Sequence, residues 1–265
     1  MRGYKIFSDI KISRLIFILF FILIVNSEAQ IENLYNFKQF AKEGEDLVEQ
    51  PLNWKAVDWL KFGAIISGAY GIMQIDEDAQ FCVQKNPNSK FSFPVEFGRI
   101  WGEPFFSVLF GAAFFLQGTA SGNSANLELG FEIEQSLFYT LWTTGILKIS
   151  LGRTRPYMDK GAFSFSPFSY RFRDRSMPSG HTSSAFSLST VLAENSEKDI
   201  LKVVYYLPAF LTAFSRVYQN YHWASDVFLG AVTGIFIAKF FNDIHEEQES
   251  LPQVPEPLIK ISIGL

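Results

Sequence analysis

The sequence is short of cysteine, of long basic runs and of strand-like alternation, and each shortage excludes a class of protein. Cys82 is the single cysteine among 265 residues, which excludes an intramolecular disulfide framework and a cysteine-rich metal cluster. The formal net charge is −4, from 23 Lys and Arg against 27 Asp and Glu. Because no long basic run accompanies this balance, we do not expect a nucleic-acid partner. Internal repeats and low-complexity linkers are also missing.

Aromatic and apolar segments separated by turn-forming residues predict an all-α fold. The chain contains 29 Phe, and its aromatic fraction of 17% stands beside a charged fraction of 19%, which favours a compact body over a disordered one. The length suits one domain, so we expect a single bundle of about six helices. The predicted helices cover residues 57–75, 104–118, 127–150, 178–193, 199–218 and 225–244, with a loop and at most a short helix at 76–102 and an irregular segment at 151–177.

The N-terminal residues 1–29 have the pattern of an export signal. Four basic residues precede the apolar run Leu15 to Val25, and small residues at positions 27 and 29 suit a signal peptidase. An uncleaved anchor and a buried first helix are the alternatives. Residues 30–54 then form an N-terminal segment with room for a short helix, residues 55–243 the helical domain, and residues 244–265 a tail. His245 falls in this charged tail, where we expect it to be solvated, and the apolar end 258–265 could dock as an extended strand.

Three short polar segments stand beside apolar helices and carry the chemistry of the chain. They are Lys148-Ile-Ser-Leu-Gly-Arg-Thr-Arg155-Pro156, Pro178-Ser179-Gly180-His181, and Ser215-Arg216 followed after five residues by His222 and after three more by Asp226.

Together these segments resemble, at every position, the three-part signature of the type 2 phosphatidic acid phosphatase family, which shares its core with bacterial non-specific acid phosphatases and vanadium haloperoxidases. Each part alone is weakly specific, whereas all three in order at helix ends are highly specific. The resemblance implies a metal-independent phosphatase that needs no cofactor. It further implies that His222 is the nucleophile, through a phosphohistidine, and that His181 is the acid. The active site is then expected at one end of the bundle.

The residue types agree with this resemblance. A phosphate ester carries its charge on equatorial oxygens and needs cations and N–H donors around one point. Lys148, Arg155 and Arg216 supply three cations. Ser179 and Gly180 open a helix, whose N–H groups and serine hydroxyl can face an anion, and glycine permits close backbone approach.

The two signature histidines have distinct expected tasks. His222 and Asp226 are one helical turn apart, so the carboxylate can accept from one ring nitrogen and leave the other free to attack phosphorus. His181 at a helix start is placed to protonate the leaving oxygen. Arg153 lies inside the first segment but outside the signature, and we expect it to be solvated or structural.

The insert between the first two segments alternates aromatic and basic residues. Phe165, Phe168, Arg171 and Arg173 form a candidate lid, in which rings would meet an apolar moiety and arginines a charge. The alternative is a loop that its own aromatics pack onto the bundle.

The location of the protein stays open at the level of sequence. The resemblance favours a membrane-associated enzyme of the cell envelope or periplasm, with its site on the outer side and a phosphorylated lipid as substrate. Against this, the mean hydropathy is only +0.11, and the uncharged runs of about 12 to 15 residues are shorter than the roughly 20 that a span needs. A soluble exported acid phosphatase acting on small phosphate esters is therefore the alternative. A vanadate-dependent haloperoxidase and a non-catalytic bundle rank lower, and the oligomeric state is not predicted.

Overall fold

The computed structural model describes residues 37–85 and 92–250, and these residues form a helical bundle. Within these two ranges, the only β-type pairing outside helices is an isolated antiparallel bridge between Arg153 and Phe165. The helices are α1 (Phe37–Glu49), α2 (Ala56–Met73), α3 (Asp76–Gln84), α4 (Ser92–Trp101), α5 (Pro104–Ser121), α6 (Ser124–Leu151), α7 (Gly180–Glu194), α8 (Asp199–Tyr218) and α9 (Ala224–Ser250), with short 3₁₀ turns at Gln50–Asn53, Pro156–Met158 and Phe172–Asp174.

The all-α prediction is confirmed, and the predicted helices correspond to α2 and α5 to α9. Beside these six, the described residues contain α1 in the N-terminal segment, where a short helix was allowed, and α3 and α4 at 76–102, where a loop with at most one short helix was expected. α3 begins with Asp76, Glu77 and Asp78, and three carboxylates in a first turn favour a helix start through its dipole. α4 begins just before Pro94, a residue tolerated in the first turn. Since at most one short helix was expected at 76–102, the second helix of this stretch was not predicted.

Helix α7 is the centre of the bundle. Every residue from Thr182 to Ala193 is buried, including six serines and threonines. α9 lies directly against it, because a Cβ on Gly230 would stand 2.6 Å from the Ser179 carbonyl oxygen and one on Gly234 would stand 2.3 Å from that of Ser183. These glycines let two backbones touch, which brings the start of α9 to the start of α7.

Helices α5 and α6 form an antiparallel hairpin beside α7. The chain turns at Gly122, which has a φ of +69°, and Asn123 caps α6 by accepting a hydrogen bond from the Asn126 backbone. α6 ends at Gly152, whose φ of +62° releases the chain into the irregular segment predicted at 151–177. The end of α6 and the start of α5 therefore lie at one end of the bundle.

The expectation for His245 is wrong. α9 continues to Ser250 and not only to about residue 244, so His245 stays on the inner face of the helix, one turn after the core residue Phe241. It is buried, and its Nε2 lies 3.2 Å from Oε2 of Glu43 on α1. The predictions for residues 1–29 and 258–265 concern positions outside the described residues.

Candidate active site

The three polar segments meet at one end of the bundle. Lys148 near the end of α6 donates from Nζ to the carbonyl oxygens of Arg175 and Ser176, at 3.0 and 3.2 Å. The Ser179 backbone N–H donates to the Asp226 carbonyl oxygen at 2.8 Å, which ties the second segment to the third. The tertiary structure thus assembles the constellation that the sequence spacing predicts.

His222 lies at the centre of this constellation, in the turn between α8 and α9. Its side chain is 4% exposed. Nε2 lies 3.3 Å from Nη1 of Arg155, while Nδ1 is directed to the other side, 3.5 Å from Oγ of Ser176 and 3.6 Å from Oδ2 of Asp226. The predicted pairing of His222 with Asp226 is therefore present as a close contact, slightly longer than a hydrogen bond.

Local helix geometry orients Asp226. It is the third residue of α9, and its Oδ2 accepts a hydrogen bond at 2.9 Å from the backbone N–H of Trp223, which immediately precedes the helix. This is one half of a capping box, a short-range device that fixes a carboxylate at a helix start. Ser176 Oγ donates to the same oxygen, and Nη1 of Arg153 donates to Oδ1 at 2.8 Å.

The electrostatic environment keeps His222 neutral. Burial first, and then the positive charges of Arg155, Lys148 and Arg216, hold the pKa of His222 well below its usual value. A neutral imidazole has a lone pair on one nitrogen, which is the state that a nucleophile needs. The cations that would bind a phosphate therefore also disfavour protonation of this histidine.

The two site arginines are held in place by hydrogen bonds and aromatic rings. Arg155 is buried and donates from Nε to the Phe172 carbonyl oxygen at 3.1 Å, with its guanidinium 4.1 Å from the centre of the Phe172 ring. Burial is the main cause that lowers the pKa of Arg155. Arg216, at the end of α8, donates to the Gln219 side chain and lies 5.6 Å from the Tyr221 ring centre. Both guanidinium groups are therefore preorganised rather than free in solvent.

The start of α7 supplies the predicted helix N-terminus. α7 begins at Gly180, and the first N–H groups of a helix have no acceptor within it. The Ser179 hydroxyl accepts from Oγ1 of Thr182 at 2.9 Å. A Cβ on Gly180 would point toward Lys148 Cε at 3.6 Å, so bundle packing alone does not demand glycine here.

His181 is paired with a residue that the sequence reasoning missed. Its Nε2 lies 3.1 Å from Oε2 of Glu103, and the His181 side chain is 29% exposed. The hydrogen bond from His181 is the main cause that lowers the pKa of Glu103. Burial lowers the pKa of His181, while the hydrogen bond to Glu103 opposes this. The signal in the sequence was Glu103 immediately before Pro104 at a helix start, which brings it to the same end of the bundle.

Arg153 is not solvated, as one of the two expectations for it had been. It is fully buried and forms ion pairs with Asp226 and with Asp76, each at 2.8 Å. Asp76 was not identified from the sequence, because its partners lie 77 and 149 residues further along the chain. The acidic start of α3 was the one available signal.

The candidate lid consists of side chains in different environments. Phe165 is 38% exposed, and its ring centre lies 5.7 Å from the Arg153 guanidinium. Phe168 is 73% exposed and has a φ of +61°. Arg171 is exposed, and Arg173 is partly exposed beside Asp174. Phe165 therefore supports the buried part of the site, while Phe168 and Arg171 face outward.

Within residues 37–85 and 92–250, no group of three or more His, Cys, Asp or Glu side chains is arranged to hold a metal ion. The donors around His222 are cations and N–H groups, which suit an anion.

Comparison with known proteins agrees with this geometry. Residues 134–249 match the model of the PAP2 superfamily, and this segment contains Lys148, Arg155, His181, His222 and Asp226. Residues 134–249 are therefore similar to the PAP2 superfamily, in agreement with the resemblance to type 2 phosphatidic acid phosphatases.

Individual relatives match shorter stretches. The chain is 42% identical over 66 residues to a lipid A 1-phosphatase of Porphyromonas gingivalis, covering 24% of this chain and 15% of that protein. It is 32% identical over 108 residues to a lipid A 1-phosphatase of Rhizobium johnstonii, covering 38% of this chain and 43% of the relative. Each of these two matches thus covers less than half of this chain and less than half of the relative. Among solved structures, Aquifex aeolicus LpxE shares 23% identity, covering 64% of this chain and 95% of that one, with a TM-score of 0.45.

Proposed function

We propose that the protein is a metal-independent phosphatase of phosphorylated membrane lipids, acting through a phosphohistidine on His222. The observation that carries this proposal is the buried imidazole of His222, whose Nε2 lies 3.3 Å from the Arg155 guanidinium. Burial and the charges of Arg155, Lys148 and Arg216 lower its pKa. A site that is cationic and still contains an unprotonated nucleophile suits attack on an anionic phosphorus.

In the first step, the lone pair of His222 Nε2 forms a bond to phosphorus while the bond from phosphorus to the ester oxygen breaks. That oxygen takes the electron pair and a proton from His181. Lys148, Arg155, Arg216 and the start of α7 hold the three equatorial oxygens. Asp226 stabilises the positive charge that the His222 ring acquires.

In the second step, water attacks phosphorus and gives a proton to His181, which acts now as a base. The bond between Nε2 and phosphorus breaks, its electron pair returns to the His222 ring, and inorganic phosphate leaves. Glu103, in contact with His181, favours the protonated form that the first step requires.

A membrane location is supported by the outer surface of the bundle. α5, α8 and residues 224–247 of α9 are long and apolar enough to cross a membrane. On α8 the large apolar side chains of Ile200, Val203, Leu207 and Phe210 are exposed, an outward face that suits lipid rather than water. This observation favours the membrane enzyme over a soluble exported phosphatase.

A lipid phosphate is the substrate class that best fits these features together. The two relatives described above are named as lipid A 1-phosphatases, and the site opens beside an aromatic and basic insert. Which lipid carries the phosphate is a question for a substrate panel of phosphatidate, phosphatidylglycerol phosphate, undecaprenyl diphosphate and lipid A.

The proposal is tested by trapping the intermediate. Full-length protein in detergent is mixed with a radiolabelled lipid phosphate, quenched in alkali and digested, because phosphohistidine survives alkali. We expect label on the peptide with His222 and phosphate release from the lipid, both absent in His222→Ala. Release of phosphate without labelled His222 would overturn the mechanism, and no release from any lipid would overturn the substrate class.

We further propose that the protein is exported and that the site faces outward. The α5–α6 hairpin begins and ends at the site, so it returns the chain to the side of the membrane on which the hairpin began.

The single cysteine offers a direct test of this orientation. Cys82 on α3 is exposed, and α3 contacts the site end of α8 through Gln84. A membrane-impermeant maleimide should label Cys82 in intact cells but not the Cys82→Ser variant. Labelling only after lysis would place the site inside.

A further inference from the structure

Arg153 joins two buried carboxylates from distant parts of the chain. Its Nη1 donates to Oδ1 of Asp226 and its Nη2 to Oδ2 of Asp76, both at 2.8 Å, and all three side chains are fully buried. Nε and Nη2 also donate to the Ala162 carbonyl oxygen at 2.9 and 2.6 Å. We propose that Arg153 and Asp76 are positioning residues that hold the carboxylate of Asp226 in place against His222. This inference rests on the proposed function of His222.

Asp76 acts on the same helix start from the opposite side. Its Oδ1 accepts from the Ser225 backbone N–H at 2.9 Å, and its Oδ2 accepts from the Ser225 hydroxyl. Arg153 Nη1 donates to that hydroxyl as well, at 2.6 Å. The first turn of α9 is therefore held by α3 and by the segment after α6 together. Asp226 has no freedom to rotate away from His222 without breaking these bonds.

The charges of the cluster explain why an arginine is suited to this place. Two carboxylates and one guanidinium leave one net negative charge beside His222, which becomes cationic when Nε2 bonds to phosphorus. The charged groups that face Asp226 are Arg153, His222, Lys148 and Arg155, with Asp76 behind Arg153. Without the guanidinium, two nearby buried carboxylates would share a site, and one of them would take up a proton.

The alternative is that Arg153 only stabilises the fold by pairing with Asp76 and Asp226, and this alternative predicts a different experimental outcome from a positioning role. Removing one partner of a buried ion pair destabilises a protein whatever its function. Loss of stability alone therefore does not separate the two roles, whereas the pH dependence of kcat does. If the two residues position Asp226, removal of the positive charge of Arg153 and removal of the negative charge of Asp76 should shift the acidic limb of the kcat profile differently.

The experiment compares Arg153→Met and Asp76→Asn in the full-length protein, with Lys160→Met as the matched control. Lys160 is an exposed cation of the same segment. In Arg153→Met we expect kcat to fall on the order of 100-fold, KM to stay near that of the wild type, and the acidic limb of the kcat profile to move to higher pH, because a carboxylate now binds a proton. In Asp76→Asn we expect a lower kcat, because the net negative charge is lost, with the acidic limb at or below its wild-type position.

The outcomes separate the possible failures. If both folded variants lose activity with unchanged acidic limbs, or with KM rising as kcat falls, Arg153 and Asp76 are only structural and the inference is overturned. If Arg153→Met does not fold, Asp76→Asn and Arg153→Lys decide. Arg153→Lys keeps the positive charge, so we expect the acidic limb of its kcat profile to stay in place and its kcat to fall. If Asp76→Asn and Arg153→Lys both had the kcat of the wild type, the inference would be overturned. An inactive wild type would instead refute the proposed function.

Discussion

Phe168 offers the sharpest test of whether the insert recognises a lipid. A phenylalanine side chain has an accessible area of roughly 200 Å², and Phe168 leaves 73% of its surface exposed. If an acyl chain covers about half of that exposed area, the contact contributes about 2 kcal/mol at 25 cal/mol per Å². Phe168→Asn should therefore lower kcat/KM for a long-chain lipid phosphate by about 30-fold.

The same substitution should spare a small soluble phosphate and the melting temperature. The soluble ester uses only the cations and histidines, and asparagine adopts the φ of +61° at this position more readily than phenylalanine does. Phe165→Asn is the informative contrast, because Phe165 pairs with Arg153 through its backbone and lies 5.7 Å from the guanidinium. That variant should lose activity on both substrates together with stability.

The assay measures both substrates and the melting temperature on one preparation of each variant. Phe93→Asn, at an exposed phenylalanine of α4, is the matched control and should behave like the wild type. A proportional loss on both substrates in Phe168→Asn would refute the reasoning, because it would mean that the ring holds the loop and contacts no lipid.

Other predictions concern the chemistry itself. His222→Ala should abolish turnover on every ester, whereas His181→Ala should retain activity on esters with good leaving groups, since these need little protonation; equal losses across a leaving-group series would contradict the assigned roles. Glu103→Gln should lower the pKa of His181, because it removes the partner of the protonated ring, so the alkaline limb of kcat for a poor leaving group should move to lower pH; an unmoved limb would show that Glu103 does not affect this proton. Activity should survive chelators and be inhibited by vanadate, whose geometry resembles the transferring group; loss on chelation that a divalent ion restores would count against the metal-independent mechanism.

The sequence by itself determined the class of fold and predicted the three polar segments that meet in the candidate site. Local signals were sufficient for this. Apolar segments between turn residues located α5, α8 and the start of α9, and the four-residue spacing predicted that His222 lies near Asp226. Capping and periodicity act over a few residues, and such short-range physics can be recognised in a chain without knowing its tertiary contacts.

Only the tertiary structure decided which residues support that site. Asp76 and Arg153 were not assigned to it from sequence, because a buried ion pair between α3 and the segment after α6 leaves no periodic pattern. Glu103 meets His181 only because the α5–α6 hairpin returns to the start of α7. His245 is buried against Glu43 on α1, a contact between residues that no local rule connects. Burial and long-range pairing depend on how helices pack, and close approach at Gly230 and Gly234 sets that packing.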